Sequence, residues 1–514
     1  MGGRGLAPEP VRDWLVPSRG EGWLNEIGIG CGGRMMPTAY DTAWLGQVPA
    51  EHDLGGPAFP GALDWLRKNQ RMDGSWGAGI EYVHDRVIST LVSILALARW
   101  SWENESPSTS GDVRAIERGL QYIRRNAARL DGEGETIGFE LILPTLLKKC
   151  QQLGLDLPHA AFERYERMRA DKMARIPPHM LYSRNTTLAF SLEFMGDDLD
   201  LESVRAIQER DGSVAVSPSA TAYLLTRWPE NEAARRYIAG VSREYGGKAP
   251  QVFPFDVFET AWSLWNLLLS GVAYDGQVTR HLAELKALWD RKEGVGYSSN
   301  HSVPNADDSA IVFRVLQLTG LDPDPGPLDL FERDDYFICY PFERNPSIGT
   351  NIHVLEALKG MGGDRASKVV RWLRSVQVDG HYWMDKWHAS PYYATAHAVI
   401  ALVEADQELA GSGVRWILET QRPDGGWGYY DRSTAEETAY CLQALCVYSR
   451  HVEPVDRAVL VRGRRALLAR RDELPALWIG KCLYVPVRVV QSVIHSALAM
   501  TRTVDTYLVE ENVL

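Results

Sequence analysis

Apolar residues recur at three- and four-residue spacing along most of the chain, the mark of helices that bury one face. The spacing predicts helices at Leu91–Trp100, Ala115–Leu130, Phe139–Leu153, Thr187–Phe194, Phe258–Leu269, Ile352–Leu358 and Ala394–Leu402. Gly, Pro, Asp and Ser interrupt the pattern every ~10–20 residues, and strand-like alternation is scarce. The expected fold class is all-α, built from helical hairpins. No apolar run reaches the ~18 residues needed to span a bilayer.

A repeat organises the helices. Gln70-Arg-Met-Asp-Gly-Ser-Trp76 recurs as Gln421-Arg-Pro-Asp-Gly-Gly-Trp427. Gln377 to Trp383 is a copy with shifted Asp-Gly, and Gln208 to Val214 is one without its Trp. Asp-Gly supplies a turn, Gln can bond the end of a neighbouring helix, and Trp can cover it. Such a recurring clamp braces stacked helix pairs and is first of all structural.

Length and charge narrow the picture. At 514 residues the chain exceeds one ordinary core and predicts two domains. Its net charge of −12 argues against a nucleic-acid partner but leaves room for an anionic small ligand held by a few local cations. The six cysteines form no CxxC and sit beside no histidine cluster, which points to a reducing, cytoplasmic setting without disulfides or structural zinc. Met1 to Pro10 lacks the basic-then-apolar pattern of a signal peptide.

The clamps resemble the QW repeats of the triterpene and class II diterpene cyclase superfamily. Ala39-Tyr-Asp-Thr-Ala-Trp44, Phe253-Pro-Phe-Asp-Val-Phe-Glu-Thr-Ala-Trp262, and Trp383-Met-Asp-Lys-Trp-His388 followed by Ser390-Pro-Tyr-Tyr393 are similar, in the same order, to segments of class II diterpene cyclases. The resemblance implies two (α/α) barrels: a β domain of residues 1–43 plus 272–514, with a γ domain of 44–271 inserted. It also implies an activity, the protonation-initiated cyclisation of an isoprenoid diphosphate that keeps its diphosphate.

Asn305-Ala-Asp-Asp-Ser309 resembles the DxDD signature, with Asn305 in place of the first Asp. The resemblance makes Asp307 the general acid and Asp308 its neighbour. An alkene is a very weak base, so its acid must be dry, well aimed and still protonated at neutral pH; burial and a nearby carboxylate both favour that state. Read alone, the same residues are a helix N-cap. His353, in Gly349-Thr-Asn-Ile-His353, falls where the family places a polar partner of the acid, which orients it and assists its reprotonation.

Carbocations need walls that attract positive charge and offer no nucleophile, which aromatic faces do at ~0.5–2 kcal/mol each. The aromatic candidates are Trp383, Trp387, Tyr392, Tyr393, Trp427 and Tyr430, with Trp427 also a clamp residue. Gln251 takes the place of a family Asn that belongs to the terminating dyad. Asp131, Glu133 and Glu135 resemble an acidic segment linked to Mg²⁺ and diphosphate binding, and carboxylates suit Mg²⁺. Arg184, beside Ser183 where the family has Lys, and Lys386 are the basic candidates for the diphosphate.

Asp197-Asp-Leu-Asp200 and Asp334-Asp335 are read as solvated loops, since no second class I metal motif accompanies them. The expected substrate is geranylgeranyl diphosphate, giving a bicyclic labdane-type, copalyl-like or rearranged diphosphate suited to a downstream class I terpene synthase. Two alternatives stay open: farnesyl diphosphate turned into drimenyl diphosphate, and a non-catalytic prenyl-binding scaffold.

Overall fold

The computed structural model describes residues 27–50, 55–101, 107–131, 135–271, 276–300, 303–343, 345–361 and 363–502. The expected helices are present, several longer than the spacing indicates: Val83–Ser101, Asp256–Ser270, Ile348–Ala357 and Pro391–Leu402; Phe139–Gln152 ends one residue before the expected Leu153. The segment Thr187–Met195 is a 3₁₀ helix. A two-stranded hairpin pairs Trp478 with Tyr484 and Ile479 with Leu483.

Helices with nearly all residues buried alternate with helices that bury one face, and this arithmetic makes double-walled barrels. In the C-terminal unit, Asp256–Ser270, Ala306–Leu318, Ile348–Ala357, Pro391–Leu402, Ala435–His451 and Val487–Met500 pack each on the next, and the last on the first. The amphipathic Asp364–Ser375, Gln407–Glu419 and Arg457–Arg470 lie outside this ring. In the N-terminal unit, Ala39–Gly46, Val83–Ser101, Phe139–Gln152, Thr187–Met195 and Pro218–Arg227 close a second ring. The fold is two (α/α) barrels.

The two cores correct the expected domain limits of 44–271 and 1–43 plus 272–514. Tyr40 and Trp44 are buried in the N-terminal core, which runs from Ala39 to Ala249. Met35 and the face of Asp256–Ser270 from Val257 to Trp265 belong to the other core. The crossings therefore fall between Met35 and Ala39 and between Ala249 and Val252, because a helix follows the core that takes its apolar face. Cys482, at the tip of the hairpin, enters the N-terminal core and ties the units together.

The clamps act as helix-end braces. Trp76, Trp383 and Trp427 donate from Nε1 to the carbonyls of Leu66, Leu373 and Ile417 at 2.8, 2.9 and 2.7 Å. Those carbonyls lie in the last turns of outer helices, where the helix offers them no partner. Gln70 and Gln421 donate to Ala115 and Val459 carbonyls in the next outer helix, while Gln377 reaches the Ser412 hydroxyl. In each copy the backbone N–H at the Trp position donates to a threonine hydroxyl of the following inner helix: Thr90, Thr395 or Thr438, each at 3.0 Å. The copy without Trp keeps this contact, from Val214 to Thr221.

Candidate active site

The Ala306–Leu318 helix begins with a reciprocal cap. Asn305 Oδ1 accepts from the Asp308 backbone N–H at 2.8 Å, and Asn305 Nδ2 donates to Asp308 Oδ2 at 2.6 Å. Successive helical residues point ~100° apart, so with Asp308 folded back on the cap, Asp307 is turned elsewhere. Its Oδ1 lies 2.6 Å from His353 Nδ1 on the next inner helix, and its side chain is 16% exposed. His353 Nε2 in turn lies 2.8 Å from Nδ1 of His397, on the inner helix after that. Three consecutive inner helices are thus joined by one line of polar atoms.

Asp308 is buried, and that desolvation pushes its carboxyl well above the usual range; the neighbouring Asp307 adds to the shift and the Asn305 bond opposes it. Burial likewise holds His397 well below the ordinary imidazole value, with His353 and His388 adding to the effect, so its ring is neutral.

Aromatic rings surround this line. Trp262 meets His353 edge-on at 5.6 Å, Phe258 stacks on Trp262 at 4.0 Å, and Phe255 stacks on Phe258 at 4.6 Å. Tyr393 lies 4.4 Å from His397 and 4.9 Å from Trp478, which also meets Phe258 at 5.5 Å. The row continues through Tyr297, 6.3 Å from Phe255, to Phe190 of the other unit, 6.4 Å further. Trp478 is fixed by its Nε1 donating to Glu436 at 2.7 Å. The ring faces of such an array attract a cation.

The expected site residues divide into those near the acid and those elsewhere. Asn305, Asp307, Asp308, His353 and Tyr393 come together. Trp387 stands nearby, 6.3 Å from Tyr340, whose hydroxyl lies 3.4 Å from Asn305 Nδ2. Trp383 and Trp427 are corrected from pocket walls to clamps, as their indole bonds show. Tyr392 is also corrected: one helical step from Tyr393, it turns outward and packs on Trp416 at 4.7 Å. Tyr430 donates to the Ala389 carbonyl at 3.0 Å and lines an inter-unit cleft of about 610 Å³. That cleft does not include Asp307; Tyr484 borders it and lies 6.3 Å from Trp478.

Gln251 is a brace for the hairpin, donating to the Cys482 carbonyl at 2.7 Å and accepting from the Lys481 N–H at 2.8 Å. Both ends of its amide are thereby engaged. Arg184 pairs with Glu209 at 3.0 Å and bonds the carbonyls of Ala206 and Gln208. Lys386 pairs with Glu343 and bonds the Asn345 carbonyl. Both cations are thus committed to internal partners. Glu133 and the Asp131 side chain lie outside the described residues, and Glu135 is exposed. Among the described residues no group of three or more His, Cys, Asp or Glu could hold a metal ion. The Asp197 and Asp200 loop is surface structure: Asp197 pairs with Arg227, and Asp200 caps the Leu201–Ile207 helix.

Sequence reasoning missed His397, Trp262, Phe258, Tyr340 and Trp478. His397 carried a usable signal, because it follows Tyr393 by four residues and so shares its helix face. Trp478 carried none, since a hairpin far along the chain delivers it.

Asp-rich capping at an inner helix, a histidine on the acid and an aromatic lining in a double barrel define the class II terpene cyclase type of protein. No family model matches the chain. It is 37% identical over 497 residues to the type B diterpene cyclase of Mycobacterium tuberculosis, covering 91% of this chain and 96% of that one. It is 30% identical over 416 residues to ent-copalyl diphosphate synthase 2 of Marrubium vulgare, covering 75% of this chain and 51% of that longer protein. Among solved structures, ent-copalyl diphosphate synthase from Streptomyces platensis superposes with a TM-score of 0.76 at 30% identity, covering 92% of this chain and 96% of that one. The chain belongs to the class II diterpene cyclase family, whose members here include copalyl diphosphate synthases. Among the described residues no helix is long and apolar enough to cross a membrane.

Proposed function

We propose that the enzyme protonates the terminal alkene of geranylgeranyl diphosphate through Asp307, closes two rings on the resulting cation and releases a labdane-type diphosphate. The observation that carries this reading is the Asp307 carboxyl, in part accessible, bonded to His353 at 2.6 Å and set among aromatic rings. Burial of Asp308 disfavours a second negative charge beside the acid. Proton loss from Asp307 leaves a carboxylate facing a carbocation, an attraction that low local polarity strengthens. The aromatic row folds the chain for attack and shields each cation from water. A C20 substrate accords with the names of the relatives. Asp131, Glu133 and Glu135 would hold a Mg²⁺ ion, which would neutralise charge on the diphosphate.

The test is incubation with geranylgeranyl and with farnesyl diphosphate, then phosphatase treatment and mass spectrometry. A bicyclic C20 alcohol without released inorganic diphosphate is expected. Turnover of the C15 substrate alone would move the reading to a drimenyl-type product, inorganic diphosphate would mean ionisation, and no turnover of either would indicate a scaffold. Loss of turnover on chelation, restored by Mg²⁺, is expected for the metal.

A further inference from the structure

Beyond Asp307 and His353, the line of polar atoms ends at His397. It is buried on the Pro391–Leu402 helix, contacts no charged group directly, and lies among Trp265 at 4.9 Å, Tyr393 at 4.4 Å and Tyr440 at 5.3 Å. Its Nδ1 meets His353 Nε2 at 2.8 Å, while its Nε2 is buried with no hydrogen-bond partner among the described residues.

Two neutral arrangements satisfy the line. In one, His397 Nδ1–H donates to His353 Nε2 and His353 Nδ1–H donates to Asp307 Oδ1, leaving a lone pair at His397 Nε2. In the other every bond is reversed: the acidic proton of Asp307 sits on Oδ1, bound into His353, and His397 buries an N–H without an acceptor. Orphaned buried N–H groups are rarer than under-used acceptors, which favours the first arrangement. It also leaves the acidic proton on Oδ2, the oxygen that His353 does not occupy. His353 then acts as a fixed donor that stabilises the carboxylate formed when the proton leaves.

We infer that His397 is a positioning residue that locks His353 in its Nδ1–H tautomer and so holds the reactive proton of Asp307 on Oδ2. The inference rests on Asp307 being the acid.

The first test needs no turnover. In protein labelled with ¹⁵N-histidine, the imidazole nitrogen shifts report the tautomer of His353, whose signals are assigned by their loss in His353→Asn. Nδ1–H is expected in the wild type; Nε2–H would overturn the inference even if Asp307→Ala abolishes activity. The second test compares His397→Phe with His397→Asn, whose side-chain amide can donate from near the Nδ1 position. His397→Phe is expected to lower kcat roughly 10- to 100-fold, the scale of one misplaced proton-transfer partner, with KM within about twofold. His397→Asn is expected to recover most of that loss, to within about threefold of the wild type, since it keeps the donor. Equal losses in both variants at unchanged Tm would show that the donor is not what matters. A fully active His397→Phe would also overturn the inference. Failure of the wild-type enzyme to turn over any prenyl diphosphate would instead remove the functional reading beneath it.

Discussion

Two inner helices of the C-terminal barrel begin almost alike and differ in what they can do. Asn305-Ala-Asp307-Asp308-Ser309 opens one, and Thr434-Ala-Glu436-Glu437-Thr438 opens the other. In each, the cap residue bonds the backbone and side chain of the second acid: Asn305 to Asp308, and Thr434 to Glu437 at 3.1 and 2.7 Å. In each, the hydroxyl of the fifth residue accepts a backbone N–H from the preceding turn, Ser309 from Val295 and Thr438 from Trp427, both at 3.0 Å. Val295 thus stands where a clamp Trp would be, and the acid motif reads as a worn copy of the repeat. The first acids part company. Glu436 is fully buried, and one of its oxygens faces Trp478 Nε1 at 2.7 Å, His388 Nε2 at 3.3 Å and the Tyr440 hydroxyl at 3.4 Å. Asp307 has a single imidazole contact and keeps some exposure. A capping-box scaffold presents an acid at the same step of both helices, and what surrounds that acid decides whether it braces an indole or stays open to a ligand.

The largest difference is expected between the two acids. Asp307→Asn should lower kcat by about 10²–10⁴-fold, the range of a lost general acid, with an unchanged circular dichroism spectrum. Glu436→Gln keeps the indole acceptor and should stay within about tenfold of wild type. Equal losses would show that the two acids do the same work.

Asn305→Asp sharpens the contrast further. The new carboxylate would sit 2.6 Å from Asp308 Oδ2, replacing a donor that favours the ionised form with a like charge that disfavours it. Both changes raise the Asp308 carboxyl, so the alkaline limb of the kcat–pH profile should move to higher pH; an unmoved limb would show that this position does not tune the acid.

Asp308 also leaves a mark on stability. Its folded value lies above the unfolded one of ~3.9, so the folded state binds more protons, and stability falls as pH rises from the unfolded value through the folded one. Asp308→Asn should flatten that fall, giving a higher Tm than wild type at pH 7 and a smaller difference at pH 4. The smallest effect belongs to the clamp: Trp427→Phe loses the bond to the Ile417 carbonyl and should cost about 1 kcal/mol in chemical denaturation, with kcat of the folded enzyme unchanged.

Much of the fold was legible because local patterns encode it. Apolar spacing marked the inner helices, and Asp-Gly turns marked the clamps. The Asn305–Ser309 segment could be read as a helix start or as an acid motif; the structure shows the cap, with Asp307 turned to His353. Trp383 and Tyr392 were misjudged for one reason: sequence shows that a residue is aromatic, while the side of the helix and the spacing of the clamp decide what it touches. Gln251, Arg184 and Lys386 were singled out by position in a resemblance, and the structure shows each engaged by hairpin, helix end or carboxylate.

The chain by itself determined helices and caps, because those depend on neighbours within a turn or two. Only the tertiary structure decided that His353 and His397 stand in one line, that Trp478 arrives from a hairpin pinned by Gln251, and that Glu436 is enclosed while Asp307 is not. These are contacts across tens to hundreds of residues, set by how the two rings close, and no local spacing records them.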